Sequence, residues 1–309
     1  TYTGGDREGA LMSGLADKRV GIIGTGATGI QVIPHVGRAA QETFVFQRTP
    51  SSIDVRNNKA IDPAWYASLE EGWQDKWLLN FATLQTGGFA DEDLVQDGWT
   101  DIAIRIRDRV VALVIERGIL DEAIQREAYE ASDDEKMEEI RARVDAVVRD
   151  PATAEGLKPW YRQLCKRPCF SDSYLDTYNL PSVHLIDTDG QGVERVDETG
   201  VWVNGTHYEL DCIIWASGFE VGNEQASEGS FPIMGRQGVA LSAAWADGIR
   251  SLHGIHAHGF PNLLTIAFAQ GANLFSNIPH NFVSSGTTIA QVVAHALTNG
   301  TPIVEPTAE

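Results

Sequence analysis

Three observations predict an α/β, Rossmann-like fold with a helical insert for this 309-residue chain. A short apolar run breaks on a glycine-rich turn and gives way to a helical pattern. A second strand-type run follows closely, as in a βαβ unit. After a long block of helical periodicity, short strand-type runs return.

The elements follow in order. Residues 20–23 (VGII) form the first strand, and Gly24, Gly26 and Gly29 make the turn. The helix after it contains Pro34, which should bend it or shift its start. Residues 43–47 form the second strand. From about 54 to 150 helical patterns take over: Asp62 and Pro63 mark a helix start. Residues 102–117 and 122–149 read as apolar–charged helices, the latter stopped by Asp150 and Pro151. The acidic run 133–139 reads as a solvated helix face. Residues 183–187 form a strand. Residues 193–196, 201–203 and 208–210 alternate as an antiparallel meander with Asn204 and Gly205 at a hairpin turn. Residues 211–219 (DCIIWASGF) read as a buried strand running into a glycine turn. The helical block is thus inserted into an α/β domain.

The glycine spacing carries chemistry. In G-x-G-x-x-G the first glycine makes the tight turn and the second lets the backbone approach a pyrophosphate. The third lets the helix pack on the strand, and the helix N-terminus attracts phosphate. This is a Rossmann-like dinucleotide site, with Thr25, Ala27, Thr28 and Gln31 on the same loop and helix start. The end of the second strand selects the dinucleotide. An acidic residue there reads a ribose 2′-OH, whereas an arginine accommodates a 2′-phosphate. Here the strand ends in Gln47, Arg48 and Thr49, with no carboxylate between Thr43 and Ser52. Arg48 offers a planar fork and Thr49 a hydroxyl donor, so the expected cofactor is NADPH.

Composition narrows the partners. The net charge of −19 argues against nucleic acid and anionic membrane surfaces. No apolar run reaches transmembrane length and no signal-peptide pattern opens the chain. Three cysteines give no disulfide framework, and a cytoplasmic location is expected. The N-G-T triplets at 204–206 and 299–301 read as turns.

A second cluster lies at 164–170 (LCKRPCF). On composition alone, Lys166 and Arg167 read as a surface loop paired with carboxylates; in so acidic a chain they are also a candidate anion site. Cys165 and Cys169 lack the partners of a zinc site and read as buried apolar cysteines. His253, His256 and His258 read as loop or core residues, and no metal site is expected.

Taken in order, the loop 24–31 (GTGATGIQ), the strand end 46–50 (FQRTP), the segment 165–168 (CKRP), the strand end 211–219, the tetrapeptide 259–262 (GFPN) and the pair Ser276 and Asn277 resemble type I Baeyer–Villiger monooxygenases, within the flavin-containing monooxygenases. The resemblance implies an FAD- and NADPH-dependent oxygenase that converts ketones to esters or lactones through a C4a-peroxyflavin, with molecular oxygen as co-substrate. It implies that Gly24, Gly26 and Gly29 cradle the pyrophosphate, with Ser217 and Gly218 also on the cofactor side. Arg48, Thr49 and Lys166 would hold the 2′-phosphate. Arg167 would be the catalytic arginine beside the flavin, and Asn273, Leu274 and Phe275 would shape the ketone pocket. The implied domains are residues 1–53 and 156–218 for NADP, 54–155 as helical insert, and 219–309 as part of an FAD and substrate domain. Leu274, Phe275 and Trp215 hint at an apolar substrate.

Three departures accompany the resemblance: there is one G-x-G-x-x-G where family members carry an earlier one for FAD, the F-x-G-x-x-x-H-x-x-x-W fingerprint is not in the sequence, and the C-terminal extension is not seen. The chain is accordingly expected to be a piece of a longer enzyme that holds FAD poorly by itself. Two alternatives stand beside this reading: a flavin monooxygenase oxidising nitrogen or sulfur, against which the lysine–arginine pair and the long insert speak, and a non-catalytic NADP-binding module.

Overall fold

A computed structural model describes residues 12–218, 231–266 and 277–308. It divides into two compact units, Thr1–Gly218 and Phe219–Glu309.

In the first unit, β1 (Arg19–Ile23) leads through the glycine turn into α1 (Ala27–Ala39), followed by β2 (Glu42–Gln47) and the short β3 (Ile53–Asp54). The helical block comprises α2 (Pro63–Ala67), α3 (Trp73–Gln85), α4 (Gly98–Arg117), α5 (Glu122–Val147) and α6 (Pro151–Leu157). Then come β4 (Cys169–Phe170), α7 (Tyr174–Thr177), β5 (Val183–Asp187), β6 (Arg195–Asp197), β7 (Gly200–Val203), β8 (Thr206–Glu209) and β9 (Cys212–Trp215). The main sheet has the order β5-β2-β1-β9 with every pair parallel. This is the α/β class expected from the sequence. Strand β3 pairs with β4 across the whole helical block, Ile53 opposite Cys169, so the chain re-enters next to where it left.

Alternation along the strands builds both faces of the sheet. Val20, Ile22 and Val45 pack with Ile30, Ile33 and Val36 of α1 and with Val144, Tyr174 and Leu175. Phe44 and Phe46 point the other way, onto Val201 and Val203 of the antiparallel β6–β8 meander. Asn204 and Gly205 make its hairpin turn with φ of 49° and 72°, as a two-residue primed turn requires.

Three expectations change. Helix α1 starts at Ala27 and runs through Pro34, so the proline does not shift its start. Segment 212–215 is half-buried and Trp215 is 61% exposed, because β9 is an edge strand that pairs only with β1 among the described residues. The acidic run is not one solvated face, since a helix turns about 100° per residue and carries Asp133 and Lys136 inward. Asp133 accepts a hydrogen bond from the Gln163 N–H at 2.8 Å and faces Arg162 at 3.2 Å. Lys136 lies between Asp54 at 2.5 Å and Asp101 at 2.9 Å, fastening α5 to both β3 and α4.

The second unit contains α8 (Leu241–Ala244) and α9 (Ile278–Thr298), with a small core of Leu241, Ala257 and Phe260. The 259–262 tetrapeptide is tied to the chain end: Glu305 accepts from the Gly259 N–H at 2.8 Å, and the Asn262 N–H donates to the Val304 carbonyl at 2.9 Å. Among the described residues no helix is long and apolar enough to cross a membrane.

Candidate dinucleotide site and arginine cavity

The three glycines of the turn occupy different environments. Gly24 has φ of 106°, and a Cβ there would lie 2.4 Å from the Ala216 carbonyl oxygen and 3.3 Å from the Ser217 Cα. The exit of β9, with exposed Ser217 and Gly218, therefore borders the turn. A Cβ on Gly29 would sit 2.3 Å from the Gly24 carbonyl oxygen, whereas one on Gly26 would meet nothing within 4 Å. Gly26 is the N-cap of α1 and supplies no side-chain cap to the first N–H groups of the helix. Buried Thr25 donates to the Thr49 carbonyl at 3.1 Å and Ser51 donates to the Thr25 carbonyl at 2.6 Å. These bonds fix the segment after β2 against the turn. Gln31 donates to the Ala27 carbonyl at 2.7 Å within its own helix.

Lys166 reaches this segment from 117 residues away, donating to the Thr49 hydroxyl. Its ammonium lies 4.6 Å from the centre of the Tyr161 ring. Burial and the nearby charge of Arg48 hold the lysine below its ordinary titration range. The structure thus brings Arg48, Thr49 and Lys166 together. Among the described residues, neither these two cations nor Arg167 forms an ion pair with a carboxylate.

Adjacent side chains of an extended segment point to opposite sides, and Lys166 is extended with φ of −134° and ψ of 167°. Arg167 accordingly faces elsewhere, into a cavity of about 550 Å³ that Ala27, Ile30 and Gln31 of α1 line together with Arg56, Asp97 and Trp99. Its guanidinium stands 5.3 Å from the Trp99 ring centre, and Trp99 in turn lies 5.5 Å from Phe170. Gly98 permits that approach, since a Cβ there would be 2.1 Å from the Phe170 ring. The carboxylate of Asp172 accepts the N–H groups of Arg56, Asn57 and Asn58 at 2.9–3.0 Å, which holds it below the usual carboxylate range.

Cys169 is buried in β4 and burial pushes its thiol up to about 11, but Cys165 is exposed at the end of a short turn. The reading of both as buried cysteines is corrected for Cys165. His256 is buried, and burial together with His253 lowers its titration. Asn273, Leu274 and Phe275 lie outside the described residues. Sequence reasoning missed Tyr161 and Trp99. An aromatic pair, Trp160 and Tyr161, just before a lysine–arginine pair was the available signal for the first.

No protein-family model matches the chain. A Baeyer–Villiger monooxygenase of Streptomyces coelicolor is 46% identical over 312 residues, covering 100% of this chain and 50% of that protein. The solved polycyclic ketone monooxygenase of Thermothelomyces thermophila matches with a TM-score of 0.79 at 35% identity, over 94% of this chain and 48% of that one. OTEMO, solved with FAD and NADP, matches with a TM-score of 0.72 at 26% identity, over 95% of this chain and 54% of its own. The chain spans about half the length of the curated relatives it matches. Over that half, in sequence and in fold, it is a homologue of the Baeyer–Villiger monooxygenases.

Proposed function

We propose that this chain supplies the NADPH site and part of the active site of an FAD-dependent Baeyer–Villiger monooxygenase, which converts ketones to esters or lactones with molecular oxygen. The observation that carries it is the meeting of an open glycine turn at Gly26 with Arg48 and Lys166, cations that pair with no carboxylate among the described residues. An open glycine position at the start of a helix, beside two cations, fits a pyrophosphate and a 2′-phosphate. A relative in fold is solved with FAD and NADP, and another is a ketone monooxygenase.

When bound, NADPH supplies the hydride and FAD the redox centre that activates oxygen. The residues of the chain bind and orient. Gly24 and Gly29 set the turn, Gly26 admits the pyrophosphate, and the N–H groups after it, at Ala27 and Thr28, donate to it. Arg48, Thr49 and Lys166 hold the 2′-phosphate. Arg167 presents a permanent cation to its cavity, where it favours an anionic oxygen over its protonated form and stabilises negative charge developing on a ketone oxygen. Asn273, Leu274 and Phe275 are proposed to shape the ketone pocket. The proposed domains are residues 1–53 and 156–218 for NADP, 54–155 as insert, and 219–309 for part of the FAD and substrate side. The β3–β4 pair, which rejoins the chain across the insert, supports this division. Three free cysteines support a cytoplasmic location.

Replacing Arg48 tests the reading. Arg48→Ala is expected to weaken NADPH binding by about ten-fold or more while NADH binding changes little, because a charge-assisted contact to phosphate is worth roughly 1.5–3 kcal/mol. Equal losses for both cofactors would remove Arg48 from phosphate recognition.

A further inference from the structure

We propose that Tyr161 is the positioning residue that makes this site selective for a 2′-phosphorylated dinucleotide, by holding Lys166 beside Arg48. The inference rests on the NADPH reading above and deepens it.

Two cations converge here without a carboxylate between them among the described residues. A lysine is a point charge on a flexible stem, and before a phosphate arrives its repulsion from Arg48 favours a swing into solvent. Two contacts oppose that swing: the Thr49 hydroxyl accepts from the ammonium, and the face of the Tyr161 ring lies 4.6 Å away. An aromatic face attracts a cation without neutralising it, so the charge stays available to a ligand. A carboxylate in the same place would compete with the phosphate.

The ring is itself fixed to the other half of the site. Its hydroxyl accepts the Ser52 N–H at 3.0 Å and donates to the Pro50 carbonyl at 3.0 Å. Pro50 directly follows Arg48 and Thr49, and Ser52 lies two residues further on. One side chain therefore references both cations to the same rigid point, although Lys166 and Thr49 are 117 residues apart. Burial pushes the phenol up to about 12, so it remains a neutral donor through the physiological range. Pre-organisation of this kind raises affinity by removing the ordering cost from the binding step.

The test compares the dissociation constants of NADPH and NADH for the 309-residue chain, in the wild type and in Tyr161→Leu, Tyr161→Phe and Lys166→Met. The NADPH preference should fall by about ten-fold in Tyr161→Leu, with NADH affinity within about two-fold of wild type. Tyr161→Phe, which retains the ring face, should keep most of the preference. In the Lys166→Met background, Tyr161→Leu should change the preference no further, because its effect runs through the lysine. If the leucine variant does not fold, Tyr161→Gln serves as the non-aromatic replacement. An undiminished preference in the non-aromatic variant overturns the inference, as does an equal loss for both cofactors or a further loss in the Lys166→Met background. A wild type without preference would overturn the NADPH reading itself, whereas a selective wild type with an unaffected non-aromatic variant overturns only the role of Tyr161.

Discussion

At Gly29 an added Cβ would press on the Gly24 carbonyl at 2.3 Å, while at Gly26 it would project into open space. The two glycines should therefore fail differently. Gly29→Ala collides with backbone that cannot give way, and should lower stability by about 1–3 kcal/mol or more. Gly26→Ala should cost about 1 kcal/mol or less as a poorer N-cap, yet weaken NADPH binding by about ten-fold or more because the methyl occupies the pyrophosphate position. Thermal melts and a cofactor titration of both variants check this; equal binding losses with equal destabilisation would reduce Gly26 to a structural role. The glycine turn and Arg48 were legible in the sequence because the G-x-G-x-x-G spacing and the end of the next strand are local patterns, although Gly24 itself packs on Ala216 far along the chain. Lys166 read from the residues as half of a cation pair and a candidate anion site, and its place beside Arg48 came only through the family resemblance. Tyr161 and Trp99 were not legible, since what gives them meaning is contact with segments far along the chain, Tyr161 with Ser52 across 109 residues.

Helix α5 shows how an element can read correctly and still be placed wrongly. Its span was legible to within two residues: 122–149 was expected and Glu122–Val147 is helical, with Asp121 accepting the Ile124 N–H at 2.9 Å at the start and Asp150 with Pro151 opening the next helix. Its acidic stretch read as solvated, yet Asp133 and Lys136 are 2% and 6% exposed; Lys136 and Met137, which interrupt the carboxylates, were the sign of an inward turn. Burial works to lower the Lys136 ammonium, but hydrogen bonds to Asp54 and Asp101 outweigh it and hold the lysine above its ordinary range. Burial likewise works to raise the Asp101 carboxyl, and Lys136 and Arg105 outweigh it and lower the group. The lysine's stabilisation is complete below the unfolded lysine pKa and is lost as pH rises through the folded one. That of Asp101 is present above the unfolded aspartate pKa and is lost as pH falls through the folded one. Lys136→Met leaves two carboxylates facing an apolar stem and should destabilise the first unit by about 3–5 kcal/mol. Chemical denaturation at neutral pH measures it; a change under about 1 kcal/mol would show that water already serves these carboxylates.

The whole chain carries 43 acidic residues against 24 lysines and arginines. Its overall field opposes an anionic dinucleotide, so binding must come from a local excess of positive charge and backbone N–H groups. The structure gathers such an excess at Arg48 and Lys166, next to an open helix start. The α/β class was legible at this scale because short apolar runs, Val20 to Ile23 and Cys212 to Trp215, stand on either side of the helical block. The return of the chain through the β3–β4 pair was not, as a two-residue strand has no periodicity to read. The most direct measurement is a titration of the purified chain with NADPH and with NADH, after recording its visible spectrum. Selective NADPH binding, by about ten-fold or more, is the expected result. Equal affinity for the two cofactors would contradict the phosphate site and the function proposed from it.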